Sequence, residues 1–177
     1  MNFVTMDFET ANGKRNSACS LALTVVKNNH VVDELYSLID PQTDFSWRNI
    51  QVHGITPEMV LNAPTFKELW PHIQPFFKPD KLVVAHNASF DNSVLAKTLL
   101  SYQIPVPHFL SLDTLTTSRS FYKNLPNYKL NTICNKLHID LKHHHNALDD
   151  SEACTNILLS QIHEFGSQAL KPYIKKI

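Results

Sequence analysis

Asp7 and Glu9 stand two residues apart inside an otherwise apolar run, Phe3–Thr10. In a strand, Phe3, Thr5, Asp7 and Glu9 share one face, and Val4, Met6 and Phe8 the other. The two carboxylates then lie roughly 6–7 Å apart along the chain. Like charges so close on a central strand are costly unless a cation sits between them. An edge strand with a solvated face is the plainer reading. Asp91 repeats the anomaly: it precedes Val94, Leu95 and Leu99 by three, four and eight residues, within the apolar stripe of a helix. Asp150 does so again, four before Cys154 and eight before Leu158, while Asp149 is turned about 100° away. Each of these acids could instead serve a helix N-terminus. Taken together, three elements aim four carboxylates at one cleft, a donor set suited to hard divalent cations. Two Mg²⁺ or Mn²⁺ ions about 4 Å apart would make a site for in-line displacement at phosphorus. An imidazole with an ordinary pKa of about 6.5 suits the general base. In the run His143-His144-His145, His145 lies nearest the acidic helix start. A solvated histidine loop is the plainer alternative there.

The elements that must position these groups follow from patterning. Asn2–Glu9 reads as a strand. Ser17–Lys27 and His30–Ile39 read as a hairpin turning at Asn28-Asn29. Thr56-Pro57 opens a short helix. Thr65-Phe66-Lys67-Glu68 is a capping box for a helix to about Phe77. A short strand at Lys81–Ala85 precedes an amphipathic helix at Ser89–Tyr102, and Phe109–Leu115 is a further strand. Leu130, Ile133, Cys134 and Leu137 put a helix over Tyr128–His138, and the last helix spans about Leu148–Phe165. Three strands followed by alternating strands and helices predict an α/β fold, a mixed sheet flanked by helices.

The composition narrows the chemistry. Only Gly13, Gly54 and Gly166 occur among 177 residues, too far apart for a dinucleotide or Walker A loop. Any phosphate is therefore held by something other than a glycine-rich cradle. Sixteen basic and sixteen acidic residues balance, so no global pull draws the chain to nucleic acid or anionic lipid. The longest apolar runs are too short to span a bilayer, and Asp7 and Glu9 fall where a leader would be apolar. Three widely spaced cysteines suit reduced thiols and a cytoplasmic setting.

Three motifs now align with a known family. Asp7-Phe8-Glu9-Thr10 matches D-x-E-T, His86-Asn87-Ala88-Ser89-Phe90-Asp91 matches H-N-x-x-F-D, and His145 to Asp150 matches H-x-x-x-x-D. His53-Gly54-Ile55-Thr56 and Lys129-Leu130-Asn131-Thr132 agree as lesser marks. The chain resembles the DEDDh group of 3′–5′ exonucleases, which includes RNase T and the proofreading epsilon subunit of bacterial DNA polymerase III. His144 and Asp149 also fit the third motif, but the helix stripe favours His145 and Asp150. Asn146 stands where the tyrosine variant of the superfamily would carry its Tyr.

The resemblance implies an RNase H-like fold and a single exonuclease domain over 1–177, with the motifs in about 3–165 and a short basic tail over 166–177. It implies that Asp7, Glu9 and Asp150 hold one metal, that Asp7 and Asp91 hold the second, and that His145 deprotonates the attacking water, with Glu9 beside it. Thr10, His53, Ile55 and Phe90 would lie near the terminal nucleotide, although Ile55 and Phe90 also read as core. The substrate would be the 3′ end of single-stranded nucleic acid, with DNA ranked ahead of RNA, and the products nucleoside 5′-monophosphates. Proofreading, repair and RNA-trimming enzymes all share this pattern. Ala11-Asn12 departs from the Thr-Gly of many relatives, at contacts to sugar and base. Only about a dozen residues follow Phe165, so a polymerase partner would bind in trans. Two other classes remain as alternatives: a zinc module using Cys134, His138 and His143–His145, and a catalytically silent binding subunit.

Overall fold

The computed structural model describes residues 1–141 and 145–177. His143 and His144, named above as zinc ligands and as an alternative motif histidine, lie outside the described residues. The described residues build a six-stranded mixed sheet in the order β3-β2-β1-β4-β5-β6. Its strands are β1 (Phe3–Thr10), β2 (Ala18–Lys27), β3 (His30–Leu38), β4 (Leu82–Ala85), β5 (Leu110–Asp113) and β6 (Lys175–Lys176). β1 pairs antiparallel with β2 and parallel with β4, so it is central and not an edge. The hairpin turns at Asn28 and Asn29 with φ of 51° and 65°. Two positive φ values define the turn that matches strand twist, and Asn tolerates that region.

Seven α-helices among the described residues flank the sheet: α1 (Trp47–His53), α2 (Pro57–Val60), α3 (Phe66–Ile73), α4 (Ala88–Ser101), α5 (Thr114–Phe121), α6 (Leu130–Leu137) and α7 (Ala147–Phe165). Val4, Met6 and Phe8 pack one face of β1 against α3 and α4 through Phe66, Trp70, Leu95 and Leu99. On the other face Phe3, Val84 and Leu112 meet Cys154 and Leu158 of α7. α6 covers the outside of α7 through Leu130, Ile133 and Ala153. The alternation expected for β1 is thus the alternation observed.

Several boundaries differ from expectation for local reasons. The capping box at Thr65 and Glu68 forms, but α3 stops at Ile73 and continues as a 3₁₀ turn over Gln74–Phe76. Pro75 in that turn lacks the N–H an α-helix would use. β5 ends at Asp113, whose carboxylate caps α5 by accepting from the Leu115 amide at 3.0 Å. α6 starts only at Leu130, because Asn127 Oδ1 accepts from the Lys129 amide at 3.0 Å and holds that residue in a turn. α1 and α5 have no counterpart in the sequence reading. The segment after Phe165 forms a 3₁₀ stretch, Ser167–Tyr173, and then β6 on the edge of β5. Leu170 is fully buried there, while Lys175 and Lys176 are exposed. No helix among the described residues is long and apolar enough to cross a membrane.

Candidate active site

The site forms at the C-terminal edge of β1, where β4 no longer accompanies it. β1 pairs with β4 only at Val4 and Thr5. Beyond that point the Phe8 amide has no strand partner on this side, and Asp91 Oδ1 accepts its hydrogen at 3.1 Å. That bond draws the first turn of α4 over the end of β1 and buries Asp91 to 2 % exposure. Asp7 and Glu9 lie opposite Ala22 and Ser20 of β2. Small partners on that strand leave room beside both carboxylates.

α7 is registered against the same face of β1. Thr5 Oγ1 donates to the Ser151 carbonyl at 3.1 Å and lies 2.6 Å from Thr155 Oγ1. Asn146 caps the helix by accepting from the Leu148 and Asp149 amides at 3.1 and 3.4 Å. Asp150 in the first turn is 5 % exposed and accepts from the His145 amide at 3.1 Å. His145 itself is exposed and takes a left-handed conformation, φ 71°. One ligand-type atom each from Glu9, His145 and Asp150 lies within 4.8 Å of the other two. Asp149 instead lines a different groove, with Glu152 and Asn156 on the far face of α7.

The electrostatics are those of crowded like charges. Burial, then Asp91, Glu9 and Asp150, raise the Asp7 carboxyl well above its usual range. Burial, then Asp150 and Asp91, push Glu9 up to about 8. Asp91 is also pushed up to about 8 by burial, against the opposing pull of the Phe8 amide and of Arg15. Burial and the repulsion of neighbouring carboxylates leave Asp7 and Glu9 poorly satisfied by the protein alone. A set of carboxylate oxygens under such repulsion fits hard divalent cations. The residues present therefore fit the metal implied by the three motifs.

The residues expected around a terminal nucleotide fall into two groups. Thr10 and His53 lie together: the His53 Nε2 hydrogen points at the Thr10 carbonyl, 3.1 Å away, and Nδ1 accepts from the Ile55 amide at 3.0 Å. Burial lowers the His53 pKa, and His145 is close enough to lower it further. Ile55 packs with Ala11, Cys19 and Val60 and is only 5 % exposed. Phe90 is half-buried against the core, with the Arg15 guanidinium 4.0 Å above its ring. Cys134 belongs to the α6–α7 core, where burial pushes its thiol up to about 11. A neutral thiol facing apolar neighbours is a poor zinc ligand.

The sequence reading missed the groups that hold these residues in place. Asp113 Oδ1 accepts from the Asn87 and Ala88 amides at 2.9 and 3.3 Å, tying the start of α4 to α5. Asn49 donates to the Thr10 carbonyl at 2.8 Å. His86 bonds Thr114 Oγ1 and the Tyr128 carbonyl, both at 2.9 Å. Only His86 carried a signal, its place in the second motif.

A mixed sheet with carboxylates gathered from β1, α4 and α7, and a histidine beside them, defines a nuclease-type site of the DEDDh class. The comparisons place the chain. The RNase T family model, described as exonuclease, matches residues 4–158. The chain belongs to this exonuclease family, and its domain is a DEDDh-type 3′–5′ exonuclease domain. The DNA polymerase III PolC-type of Caldanaerobacter subterraneus subsp. tengcongensis is 31% identical over 96% of this chain. That of Bacillus subtilis is 30% identical, also over 96%. In both cases the chain spans only 12% of the relative's length. Among solved structures, Exonuclease X in complex with 5′ overhanging duplex DNA aligns with a TM-score of 0.77 at 23% identity, covering 93% of both chains. The nuclease domain of 3′hExo, a DEDDh family member bound to rAMP, aligns at 0.81 and 18% identity, covering 93% and 92%. These likenesses establish the RNase H-like fold expected from the motifs.

Proposed function

We propose that residues 1–177 act as one exonuclease domain that hydrolyses the terminal phosphodiester at the 3′ end of single-stranded nucleic acid and releases nucleoside 5′-monophosphates. DNA ranks ahead of RNA, and the similarity to PolC-type DNA polymerase III supports both that ranking and a polymerase as partner. The observation that carries the reading is the convergence of Asp7, Glu9, Asp91 and Asp150 beside His145. Asp7, Glu9 and Asp150 would hold one Mg²⁺ or Mn²⁺, and Asp7 with Asp91 a second. Such ions, when bound, polarise the phosphate and offset developing charge.

The chain's own groups do the rest. His145 takes a proton from water, and that oxygen bonds to phosphorus. The bond from phosphorus to the 3′ oxygen breaks, and that oxygen takes a proton from solvent, leaving a shortened strand with a 3′ hydroxyl. The Asp150 carboxylate restrains His145 by accepting its amide hydrogen. Thr10, His53 and Phe90 would flank the terminal nucleotide, and Ile55 would support that wall from the core. Free, reduced cysteines agree with a cytoplasmic setting.

The test compares matched single-stranded DNA and RNA oligonucleotides, 5′-labelled, with Mg²⁺, with Mn²⁺ and with EDTA. A ladder shortening from the 3′ end, dependent on the cation and faster on DNA, is expected. A folded protein that shortens neither strand would overturn the reading.

A further inference from the structure

A groove of about 740 Å³ adjoins the carboxylates. Asp7, Asp150 and His145 contribute to its lining, and so do Arg119, Tyr128 and Lys129. Thr10, His53, Ile55 and Phe90 are not among the described residues that line it. The groove is thus separate from the wall assigned to the terminal nucleotide, yet it shares the catalytic carboxylates with it.

The cationic part of this groove is held in place from below. Tyr128 donates its hydroxyl hydrogen to the Tyr122 carbonyl at 2.7 Å, and the Tyr128 carbonyl accepts from His86 Nε2 at 2.9 Å. Asn127 Oδ1 accepts from the Lys129 amide at 3.0 Å and from Thr132 Oγ1 at 2.6 Å. The Arg119 guanidinium lies 6.0 Å from the Tyr128 ring centroid. Arg119 and Lys129 are both exposed. An ordered aromatic turn therefore carries two cations next to a site that otherwise gathers negative charge.

A strand whose scissile phosphate reaches Asp7 and Asp150 must continue away from the terminal-nucleotide wall. A polyanion approaching four carboxylates needs cations along that path, and the chain's zero net charge supplies none globally. We propose that this groove seats the sugar–phosphate backbone immediately upstream of the scissile bond, with Arg119 and Lys129 each neutralising one phosphate. The proposal deepens the 3′-exonuclease reading and rests on it. Tyr128 acts as a positioning residue for Arg119, and His86 as one for Tyr128.

Two readouts test it. The first is fluorescence anisotropy of a labelled single strand in EDTA at several salt concentrations, with no turnover involved. Arg119→Ala/Lys129→Ala is expected to weaken binding about tenfold and to flatten the slope of log affinity against log salt by about 1.4, at about 0.7 per phosphate on single strands. Arg119→Lys/Lys129→Arg is expected to keep most of both. The second is the ratio of kcat/KM on a ten-nucleotide strand to that on a p-nitrophenyl ester of a nucleoside 5′-monophosphate, which has no upstream phosphate. That ratio is expected to fall about tenfold in the alanine variant, as for two lost phosphate contacts. An unchanged slope, or a ratio within about twofold of wild type, would overturn the groove. Loss of cleavage on every substrate by the wild-type protein would overturn the exonuclease reading instead, while the salt slope would still report on the groove.

Discussion

Two polar layers lie one above the other between β1 and α7, and they are built on opposite principles. In the lower layer Thr5, Thr24, Ser151 and Thr155 are all fully buried. Their hydroxyls bond one another and the backbone, with Thr24 Oγ1 at 2.9 Å from Ser151 Oγ and Thr155 Oγ1 donating to the Ser151 carbonyl at 2.9 Å. Two residues further along β1, the upper layer holds Asp7 and Glu9 against Asp150, where burial and then the neighbouring carboxylates raise the pKa of Asp7 and of Glu9. The lower layer is neutral and satisfied, the upper one charged and repelling. The contrast teaches how α7 can present a carboxylate to a crowded site: neutral hydrogen bonds fix the helix, and no attraction within the site is needed to hold it there.

The sharpest way to break the comparison is to remove one charge from the upper layer. Asp7→Asn keeps the shape and takes away the most heavily burdened carboxylate. Cleavage is expected to fall by about 10²–10³-fold, the range for losing a group that stabilises the reacting charge. The metal-free melting temperature is expected to rise, because desolvation and repulsion both disfavour the charged Asp7. A fall in both quantities would mean that Asp7 holds the fold together.

His145→Gln should cost about 10²–10⁴-fold in kcat, the usual contribution of a general base. Its side chain is exposed, so the melting temperature should stay within about 1 °C, equivalent to a few tenths of a kcal/mol. Equal losses in melting temperature and turnover would make His145 structural.

The charge layer also gives a pH dependence of stability. Glu9 and Asp91 titrate near 8 in the metal-free fold, above the ordinary carboxylate range. A carboxyl raised on folding binds its proton more tightly in the folded state than in the unfolded state. Its stabilisation is fully present below about 4.5, the ordinary range, and is lost as pH rises through about 8. Metal-free protein should therefore melt several degrees lower at pH 8.5 than at pH 5.5, at about 2–4 °C per kcal/mol. Saturating Mg²⁺ or the Asp7→Asn change should flatten that slope. A slope unaffected by either would place its origin outside the site.

Breaking the lower layer has a smaller effect of opposite sign. Thr155→Val keeps the volume and removes one hydroxyl from the Thr5–Thr155 pair. The expected cost is about 1 kcal/mol, a fall of about 2–4 °C. Turnover per folded molecule at low temperature should change little.

The upper layer was legible in the sequence, and the lower was not. A carboxylate inside an apolar stripe contradicts its surroundings, so Asp7, Glu9, Asp91 and the choice of Asp150 over Asp149 stood out by spacing alone. A buried threonine contradicts nothing, because threonine is an ordinary strand residue. α5 was hidden for the same reason. Its buried residues are Thr114, Thr117 and Ser118, joined to Gln161 of α7 through Thr117 at 2.7 Å and Ser118 at 3.0 Å. A helix that docks through hydroxyls and an amide leaves no hydrophobic period to read. α1 buries no residue at all. Asn49 and His53 tie it down by both reaching the Thr10 carbonyl, contacts that no spacing rule anticipates.

The smallest effect separates the two layers most cleanly, because it concerns the sign of a coupling. Thr24 and Ser151 share one buried bond, and Ser151 also donates to the Leu148 carbonyl at 3.0 Å. Thr24→Val alone should cost less than about 1 kcal/mol, since Ser151 keeps a partner. Adding Ser151→Ala should cost less than the sum of the two single changes, by about 0.5 kcal/mol or more, because the second change removes a group already deprived. In the upper layer the same cycle with Asp7→Asn and Asp91→Asn should run the other way. Each neutralisation relieves the other carboxylate, so in metal-free protein the pair should gain less than the sum of its parts. The reason is repulsion already relieved, not a bond already lost. Thermal melts of both sets of variants in EDTA measure the two couplings. Couplings of the same sign in terms of stability would show that the charged layer is held by attraction that these contacts do not contain.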